Sequence, residues 1–380
     1  MSRLTGLSLF SNVGVAEAYF EQIGVDIVLA NELLPDRARF YADVYKHTKM
    51  ICGDICDDSI RTEIVNSAIE KGVNFIIATP PCQGMSKLGS MNPNDARNQL
   101  IYYAVDVIKR VKPSFVLLEN VPQTLITKNV VDEEEMLIPE YLKRELGEHY
   151  DFNADPRIKA MDYGVPQMRP RCIFLLAAKG SGIKWEFPAP TEKLVTMEDA
   201  IGHLPPLDPI VREGMDQTFK LFPNFTKRKK AAQSISKWHY PPTHSRRHVE
   251  WMMHTPSGTS AIYNEVYYPK KPSGDRISAH ENQYRRHAWD KPCRTVTQNN
   301  GVISSLCCVH PGRPYETQNG EVLYSDPRVL TIYELLLVTS LPENWPIPEW
   351  ANESLIRHVI GEGIPPLLVK KIVVELLNQI

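Results

Sequence analysis

The sequence predicts a doubly wound α/β domain, a Rossmann-like sheet with one antiparallel strand, joined to a smaller loop-rich module. Up to Ala178, short apolar runs alternate with helical patterns, as in βαβ units. Beyond Ala178, prolines and basic clusters replace clear periodicity, which indicates a separate module. Helical patterns return at 331–340 and 366–377, so we expect the end of the chain to pack back on the first domain.

Seven segments have the apolar content and the length of strands in such a sheet. They are Leu4–Phe10, Asp26–Asn31, Lys49–Cys52, Asn74–Thr79, Ser114–Leu118, a segment near Phe152–Met161, and Cys172–Ala178. Helical patterns lie between them, for example Val15–Ile23 before Gly24 and Leu100–Val111 before Pro113. This alternation predicts a mostly parallel sheet with helices on both faces.

Composition excludes several other classes of protein. The chain has 380 residues, of which 43% are hydrophobic and 23% charged, so a disordered chain is excluded. We find no uninterrupted apolar stretch of about 18 residues and no leader pattern after Met1, and we therefore expect a cytoplasmic protein without a membrane span. The seven cysteines form no CxxC pair, which favours free thiols. Six histidines lie between His239 and His287 without a cysteine pair, so we expect no metal site.

The charge distribution is more informative than the net charge of -2. Residues 206–290 contain fourteen Lys and Arg against eight Asp and Glu, so this part carries +6 and the rest of the chain -8. A basic segment on an otherwise acidic protein is typical of a phosphate-binding face. On charge alone, a solvated loop region is an equally good interpretation.

Ligands of open α/β sheets lie beyond the carboxyl ends of the strands, so the residues there are candidates for a site. The first strand is followed by a tight turn that ends at Gly14, and Glu32 follows the second strand, eighteen residues further on. An acidic side chain at that spacing is suited to ribose hydroxyls. Asp54 and Ile55 follow the third strand and are suited to an adenine ring.

The next two strands end in a thiol and a carboxylate. Thr79-Pro80-Pro81-Cys82-Gln83-Gly84 follows the fourth strand, and Glu119-Asn120-Val121-Pro122 follows the fifth. Taken alone, a cysteine is more often an inert packing residue and a strand-end acid more often a helix cap. Together they place a nucleophile and an acid on adjacent strand ends beside an adenosine-shaped site.

The motifs together resemble those of the cytosine-5 DNA methyltransferases of bacterial restriction-modification systems. The matching motifs are LFSNVG, NE, GDI, PPCQG, ENV, QMRPR, WDKPCRTVT, SDPRVLTIYELLLVTSLPENW and IGEGIPPLLVKKI. They cover roughly 4–178 and 284–376 in the order of the family. The stretch between them has no match, as expected for a variable target-recognition region.

The resemblance implies a catalytic and cofactor-binding domain at 1–184, a target-recognition domain at 185–280, and a return segment at 281–380. It implies S-adenosylmethionine as cofactor and double-stranded DNA as partner, with a cognate restriction endonuclease as a possible second partner, and we expect a monomer. The implied catalytic residues are Cys82, Glu119, Arg169 and Arg171. The implied cofactor-binding residues are Phe10, Asn12, Val13, Gly14, Glu32, Leu33, Asp54, Ile55, Pro81, Leu100, Glu362 and Ile364. The implied DNA-binding residues are Ser86, Lys87, Gln167, Arg228, Arg246 and Arg247.

Two regions of the sequence depart from the family pattern. Asn12 and Val15 stand where the family usually has glycine, and Asn tolerates a positive φ whereas Val15 suggests an altered cofactor turn. Glu362 follows Gly361 where the family usually has asparagine. These departures concern the cofactor contacts and leave the chemistry unchanged.

The chemistry predicts part of the topology. Cytosine carbon 5 is a weak nucleophile, so a thiolate from Cys82 must first add at carbon 6, with Glu119 stabilising the adduct at ring N3. Gln167, Arg169 and Arg171 alternate and would share one face of a strand, and the family places such an arginine on the ring O2. Cys82 and Glu119 follow their strands, whereas Arg169 and Arg171 precede theirs. A shared site therefore requires the Cys172–Ala178 strand to run antiparallel.

Three alternative functions remain open at this level. A transfer RNA cytosine-5 methyltransferase would share the cysteine and carboxylate motifs, although the long recognition region favours DNA bases read in a groove. A non-catalytic DNA-binding relative would not need Cys82, Glu119, Arg169 and Arg171. A nicotinamide dehydrogenase would leave the Pro-Pro-Cys and Gln-x-Arg-x-Arg motifs unexplained. The bases that flank the target are not predicted by the sequence, nor is the base that removes the carbon 5 proton.

Overall fold

A computed structural model describes residues 4–81, 99–131 and 134–380. The predicted catalytic Cys82 and the predicted DNA-binding residues Ser86 and Lys87 lie outside these ranges. Within the ranges, no helix is both long and apolar enough to cross a membrane.

Fourteen strands occur in the described part of the chain. They are β1 (Leu4–Leu9), β2 (Val25–Glu32), β3 (Lys49–Cys52), β4 (Phe75–Ala78), β5 (Phe115–Asn120), β6 (Lys128–Val131), β7 (Glu134–Leu137), β8 (Tyr150–Phe152), β9 (Arg157–Lys159), β10 (Pro170–Ala178), β11 (Ile210–Val211), β12 (Thr243–His244), β13 (Pro314–Glu316) and β14 (Val322–Tyr324).

The same part of the chain contains eleven α-helices. They are α1 (Pro35–Val44), α2 (Asp58–Glu70), α3 (Leu100–Val111), α4 (Ile138–Leu146), α5 (Met197–Ile201), α6 (Met215–Leu221), α7 (Phe225–Ile235), α8 (Arg246–Met253), α9 (Ile332–Val338), α10 (Glu353–Glu362) and α11 (Pro366–Leu377). Helix α9 begins with a capping box in which Thr331 accepts from Glu334, as its Thr-x-x-Glu sequence predicts.

One sheet of eight strands organises the first part of the chain, in the order β3-β2-β1-β4-β5-β10-β8, with β9 also paired to β10. The pairs among β1 to β5 are parallel. Strand β10 pairs antiparallel with β5, which confirms the antiparallel strand that the chemistry requires. Since β8 is antiparallel to β10, β8 runs parallel to the first five strands.

Two predicted elements differ from the structure. The single strand near Phe152–Met161 is two short strands, β8 and β9, separated by a bend at 153–156. Asn153 lies at this bend and exchanges hydrogen bonds with β10, accepting from Leu175 and donating to Ile173 O, so its side chain replaces ladder bonds there. The α-helix predicted at Val15–Ile23 is two 3-10 turns, closed by Gly24 at φ 81°.

Apolar side chains cover both faces of the sheet. One face packs against α2, α3 and α4. The other packs against α11 and Trp185, whose indole donates to Ile372 O at 3.0 Å. A third cluster joins Val13, Val15 and Phe40 to α5, α9 and α10. The carboxy-terminal helices therefore pack on the first domain, beside the turn that follows β1.

Candidate active site

Glu119 and Arg171 meet at the carboxyl edge of the sheet. Glu119 is the fifth residue of β5 and pairs in register with Ile173 of β10, two residues after Arg171. Arg171 Nε lies 2.7 Å from Glu119 Oε1, and each side chain is only 10% exposed. Because β10 is antiparallel, its amino end lies beside the carboxyl end of β5. The topology therefore brings together two predicted catalytic residues that are 52 positions apart in the sequence.

Burial governs the protonation of Glu119. Removal from water raises the pKa of the Glu119 carboxyl above its ordinary value, and the positive charges of Arg171 and Arg169 oppose this rise only in part. A carboxyl with a raised pKa can hold a proton and share it with a basic ring nitrogen.

The segment that leads to Cys82 leaves the sheet at the same edge. Thr79 N donates to Leu9 O at 3.2 Å, and the Thr79 hydroxyl donates to Phe10 O at 3.0 Å. Asn120 Nδ2 donates to Pro80 O at 3.2 Å, so the residue after Glu119 holds the chain two positions before Cys82. Pro81 is exposed and is the last described residue before Cys82.

Arg169 and Gln167 bond main-chain groups of the carboxy-terminal part of the chain. The Arg169 guanidinium donates to the carbonyl oxygens of Val296 at 2.8 Å, Gly361 at 3.0 Å and Glu362 at 2.7 Å. Gln167 is fully buried, donates to Val338 O and accepts from Val296 N. Both side chains donate to main-chain carbonyl groups of the carboxy-terminal part of the chain. They therefore join the residues before β10 to that part. A DNA contact of the Gln167 side chain would break these bonds.

The turn after β1 has an unusual backbone. Phe10, Asn12 and Gly14 have φ angles of 55°, 51° and 78°. The prediction that Asn12 accepts a positive φ is confirmed, and Gly14 is required because a Cβ there would overlap the Tyr45 ring. The Glu32 carboxylate accepts from Asn12 N at 2.9 Å and from Leu34 N at 3.0 Å, which fixes it beneath this turn.

The other predicted cofactor residues differ in their burial and in their contacts. Leu33 is 54% exposed, an open apolar side chain next to Glu32. Asp54 accepts from Cys56 N at 2.9 Å, and Leu100 is half-buried at the start of α3. Val13 and Ile55 are buried in apolar clusters. Ile364 packs in the core cluster that contains α11, so its side chain contributes to packing.

The valine at position 15 packs against Gly363, which lies directly after α10. A Cβ at Gly363 would lie 2.5 Å from a Val15 methyl group, so Gly363 leaves the space that Val15 fills. A valine at this family glycine position is therefore matched by a glycine on the segment after α10. The sequence shows both residues but not their contact, because they are nearly 350 positions apart.

Glu362 is the centre of a charged cluster. Its Oε2 accepts from Asn12 Nδ2 at 3.1 Å and lies 2.8 Å from an Arg37 guanidinium nitrogen. His358 Nε2 lies 3.0 Å from Oε1. Asn12 Oδ1 is buried and has no hydrogen-bond partner among the residues that the structure describes.

Sequence reasoning missed Glu17. This carboxylate is buried under the turn and accepts hydrogen bonds from the Ser8 and Tyr41 hydroxyls. Burial raises the pKa of Glu17 to about 7. An acid inside the run Val15-Ala16-Glu17-Ala18-Tyr19-Phe20 is the signal that indicates a buried, hydrogen-bonded carboxyl.

The predicted basic DNA contacts lie on two helices of the recognition segment, α7 and α8. Arg228 of α7 pairs with the buried Asp208 at 2.6 Å. Arg246 pairs with Glu250 at 2.8 Å, and the Arg247 guanidinium lies over the Trp251 ring at 5.9 Å. Two of the three arginines therefore already have a carboxylate partner, and a phosphate would compete with it.

Four histidines of the second half are buried, namely His239, His244, His287 and His310. In the described ranges, no group of three or more His, Cys, Asp or Glu side chains could hold a metal ion. Burial lowers the pKa of His244 and His287 to about 3 and that of His310 to about 4. These imidazoles are therefore neutral in the folded protein.

We expect mild acid to destabilise the fold. Below the ordinary histidine pKa of 6.5, the unfolded chain binds protons that His244, His287 and His310 cannot bind, which removes about 3 kcal/mol between pH 6.5 and 5.5. Glu17 opposes this, because its raised pKa lets the folded protein bind a proton in the same range, and the net loss is about 2 kcal/mol.

Urea unfolding at the two pH values measures this loss. His310→Asn should reduce the slope of the pH dependence, because it removes one of the three buried imidazoles. An unfolding free energy that rises as the pH falls from 6.5 to 5.5 would contradict the placement of these histidines.

Comparison with known proteins identifies the family of the chain. The family model for C-5 cytosine-specific DNA methylase matches residues 4–378. The chain is 41% identical to Type II methyltransferase M1.HgaI of Avibacterium volantium, over 99% of both chains. It is 30% identical to Type II methyltransferase M.NgoPII of Neisseria gonorrhoeae, over 96% of this chain and 93% of that protein. Its fold is similar to the crystal structure of an E. coli prophage DNA modification methyltransferase, with a TM-score of 0.66, 22% identity and 99% of both chains covered.

Proposed function

The chain belongs to the C-5 cytosine-specific DNA methylase family and is a DNA cytosine-5 methyltransferase, and we propose that it takes its methyl group from S-adenosylmethionine and acts on a flipped cytosine. The observation that carries the proposed site is the buried Glu119–Arg171 pair at the carboxyl edge of the sheet. None of the groups at this edge can reach a base stacked in a duplex, so the target must leave the helix.

Features of the described residues support this cofactor. The Glu32 carboxylate lies at the end of β2 for the ribose, and exposed Leu33 beside it offers an apolar surface to the adenine. Asn12 Oδ1 is a buried acceptor to which no residue of the described ranges donates. A bound S-adenosylmethionine supplies an electrophilic methyl group at this edge.

The reaction begins with addition of the Cys82 thiolate to carbon 6 of the cytosine, which makes carbon 5 nucleophilic. The Glu119 carboxyl shares its proton with ring N3 as the thiolate adds, and this proton neutralises the negative charge that would otherwise accumulate there. Arg171 holds the Glu119 carboxyl through Nε and is the arginine that we assign to the base. Arg169 is assigned instead to positioning, because its guanidinium donates to three main-chain carbonyls. Loss of the carbon 5 proton then allows the sulfur to leave.

We propose that residues 1–184 form the catalytic domain, 185–280 the target-recognition domain and 281–380 the return segment. The return segment supplies α9, α10 and α11, which pack on the first part of the chain. Relatives are named Type II methyltransferases, and we place the chain in a restriction-modification system, as a monomer with a separate cognate endonuclease.

Bisulfite sequencing of DNA from cells that express this chain tests the proposed function. We expect cytosines in one sequence context to resist conversion, and cells that express Cys82→Ser should show none. Transfer RNA from the same cells is sequenced in parallel. Protection confined to transfer RNA would overturn the DNA target and favour the RNA methyltransferase.

Exchange of the recognition segment tests the domain division. Replacing 185–280 by the matching segment of a relative with another specificity should transfer that relative's methylation context, because this part carries the basic excess and lacks the family motifs. Bisulfite sequencing reads the context directly. If the context followed 1–184 or 281–380 instead, the division would be wrong.

A further inference from the structure

Glu17 is a buried carboxylate that the proposed reaction does not use. It is only 3% exposed. The Ser8 hydroxyl donates to its Oε1 and the Tyr41 hydroxyl donates to its Oε2, so each oxygen has one donor. Among the described residues, no positive charge contributes to its ionisation. A buried acid without a positive partner is costly to ionise, and such groups are concentrated at functional sites.

Glu17 is connected to the turn after β1, residues 10–14, through the carbonyl of Gly14. Its main-chain nitrogen donates to Gly14 O at 3.2 Å, and the Tyr45 hydroxyl donates to the same oxygen. The rings of Tyr41 and Tyr45 lie 4.7 Å apart on α1, so the partner of the Glu17 carboxylate packs against the side chain that holds the turn. A change in the hydrogen bond between Glu17 and Tyr41 is therefore transmitted to the backbone of the turn.

The two protonation states of Glu17 make different hydrogen bonds. An ionised carboxylate accepts from both hydroxyls, which is the arrangement observed. A protonated carboxyl must donate through one oxygen, to the hydroxyl of Ser8 or of Tyr41. The hydroxyl that accepts this proton must then turn its own hydrogen to another group. The arrangement observed beneath the turn is therefore that of the ionised acid.

The other ionisable groups around Glu17 keep one charge near neutral pH. From α1, Tyr41 and Tyr45 face it, and burial raises the pKa of both phenols well above the ordinary value. From α11, which packs on the same 3-10 turn, Lys370 lies over the ring of Tyr19. Burial raises the pKa of Glu17 itself to about 7. Among these groups, Glu17 is therefore the one that changes charge near neutral pH.

We infer that Glu17 is a positioning residue whose ionisation fixes the turn after β1, so that cofactor binding is coupled to the release of one proton. This inference rests on the proposed use of S-adenosylmethionine and concerns the regulation of that site by pH. Because both oxygens of the buried carboxylate have hydroxyl partners, Glu17 acts through the turn and not on the cofactor itself. The neutral acid holds the turn less well, so the affinity should follow the ionised fraction.

Calorimetric titration with S-adenosylhomocysteine at pH 6 and pH 8 tests the coupling. For a pKa of about 7, the ionised fraction and hence the affinity of the unchanged protein should rise roughly tenfold between these pH values. Glu17→Gln keeps the shape but stays neutral. It should bind at both pH values as weakly as the unchanged protein does at pH 6. Tyr41→Phe removes a hydrogen bond that lowers the pKa of Glu17, so the rise in affinity should move to higher pH.

Proton release is a readout that a purely structural role would not give. Titrations at pH 6 in two buffers of different ionisation enthalpy count the protons released on binding. The unchanged protein should release nearly one proton and Glu17→Gln none. Two control variants should behave as the unchanged protein does. Glu21→Gln changes an exposed acid in the next 3-10 turn, and His358→Gln removes a histidine that contacts Glu362 and belongs to the residue type that ordinarily titrates near this pH.

The outcomes separate this inference from the cofactor proposal. If the unchanged protein does not bind S-adenosylhomocysteine at either pH, the cofactor proposal fails and the inference falls with it. If it binds, but the rise with pH persists in Glu17→Gln or disappears in His358→Gln, the inference alone is overturned. Thermal unfolding shows whether each titrated variant is folded. Should Glu17→Gln not fold, the proton count of the unchanged protein and the shift in Tyr41→Phe decide the matter, and an absent count or shift overturns the inference.

Discussion

The Cys82→Ser variant is expected to lose methyl transfer to the background level of the assay while it binds duplex DNA as well as the unchanged protein. A serine hydroxyl has no accessible anion at neutral pH, so it cannot add to carbon 6. We expect a loss of roughly four orders of magnitude or more, the scale on which removal of a nucleophile acts. Incorporation of tritiated methyl groups into duplex DNA measures the rate.

A trapped adduct gives an independent readout of the same residue. In DNA with 5-fluorocytosine at the target, carbon 5 has no proton to lose after methylation, so the sulfur cannot leave and the protein stays attached. The unchanged protein should form this attached species and Cys82→Ser should not. Cys52→Ser, which changes an exposed thiol at the end of β3, should behave as the unchanged protein does. Substantial turnover by Cys82→Ser would remove the nucleophile assignment.

The parts of the fold set by local pattern could be predicted from the sequence. The bounds of β3, α3 and α11 agree with the prediction residue by residue. The antiparallel direction of β10 was predicted for a different reason. In the predicted bounds, Glu119 follows the strand Ser114–Leu118 and Arg171 precedes the strand Cys172–Ala178, so only one direction lets them share a site. The observed strands β5 and β10 extend far enough to include both residues, and their register has the predicted direction.

The parts set by distant contacts could not be predicted. Val15–Ile23 has a helical pattern, but the segment forms two 3-10 turns. Within it, the Glu17 carboxylate accepts hydrogen bonds from the hydroxyls of Ser8 and Tyr41, which lie outside the segment. Arg169 has the spacing of a base-contacting residue, but its donors bond carbonyls 127 to 193 positions away. Residue type and spacing show that a charged side chain lies near the site. Its hydrogen-bond partners cannot be predicted in the same way, because they come from segments that are distant in the sequence.

The active-site pair itself could be predicted only in outline. The sequence indicates an acid and arginines at one sheet edge, and the register of β5 and β10 then selects Arg171 as the partner of Glu119. The selection follows from side-chain direction, because residues diagonal across an antiparallel pair lie on one face. The position of Cys82 relative to this pair stays a prediction, supported by the anchoring of Pro80 to Asn120.

Glu119→Gln is expected to lower kcat by roughly 10²- to 10³-fold, within the range that a positioned proton donor contributes. The amide keeps the shape of the carboxyl and a hydrogen bond to ring N3, but it cannot transfer a proton as the thiol adds. Binding of S-adenosylhomocysteine should change little, since the Glu119 carboxyl lies at the base end of the site. Asp151→Asn, an exposed change on β8 of the same sheet, is the matched control.

The pH profile distinguishes a proton-donating role of Glu119 from a structural one. Burial raises the pKa of Glu119, so its protonated form persists to higher pH than that of a free glutamic acid, and activity should fall as the pH rises through that pKa. Arg171 opposes the rise, so Arg171→Met should move this alkaline limb to still higher pH. In Glu119→Gln the alkaline limb should disappear. Steady-state rates from pH 5 to 10 measure this limb, and an alkaline limb that is unchanged in Glu119→Gln would show that another group controls it.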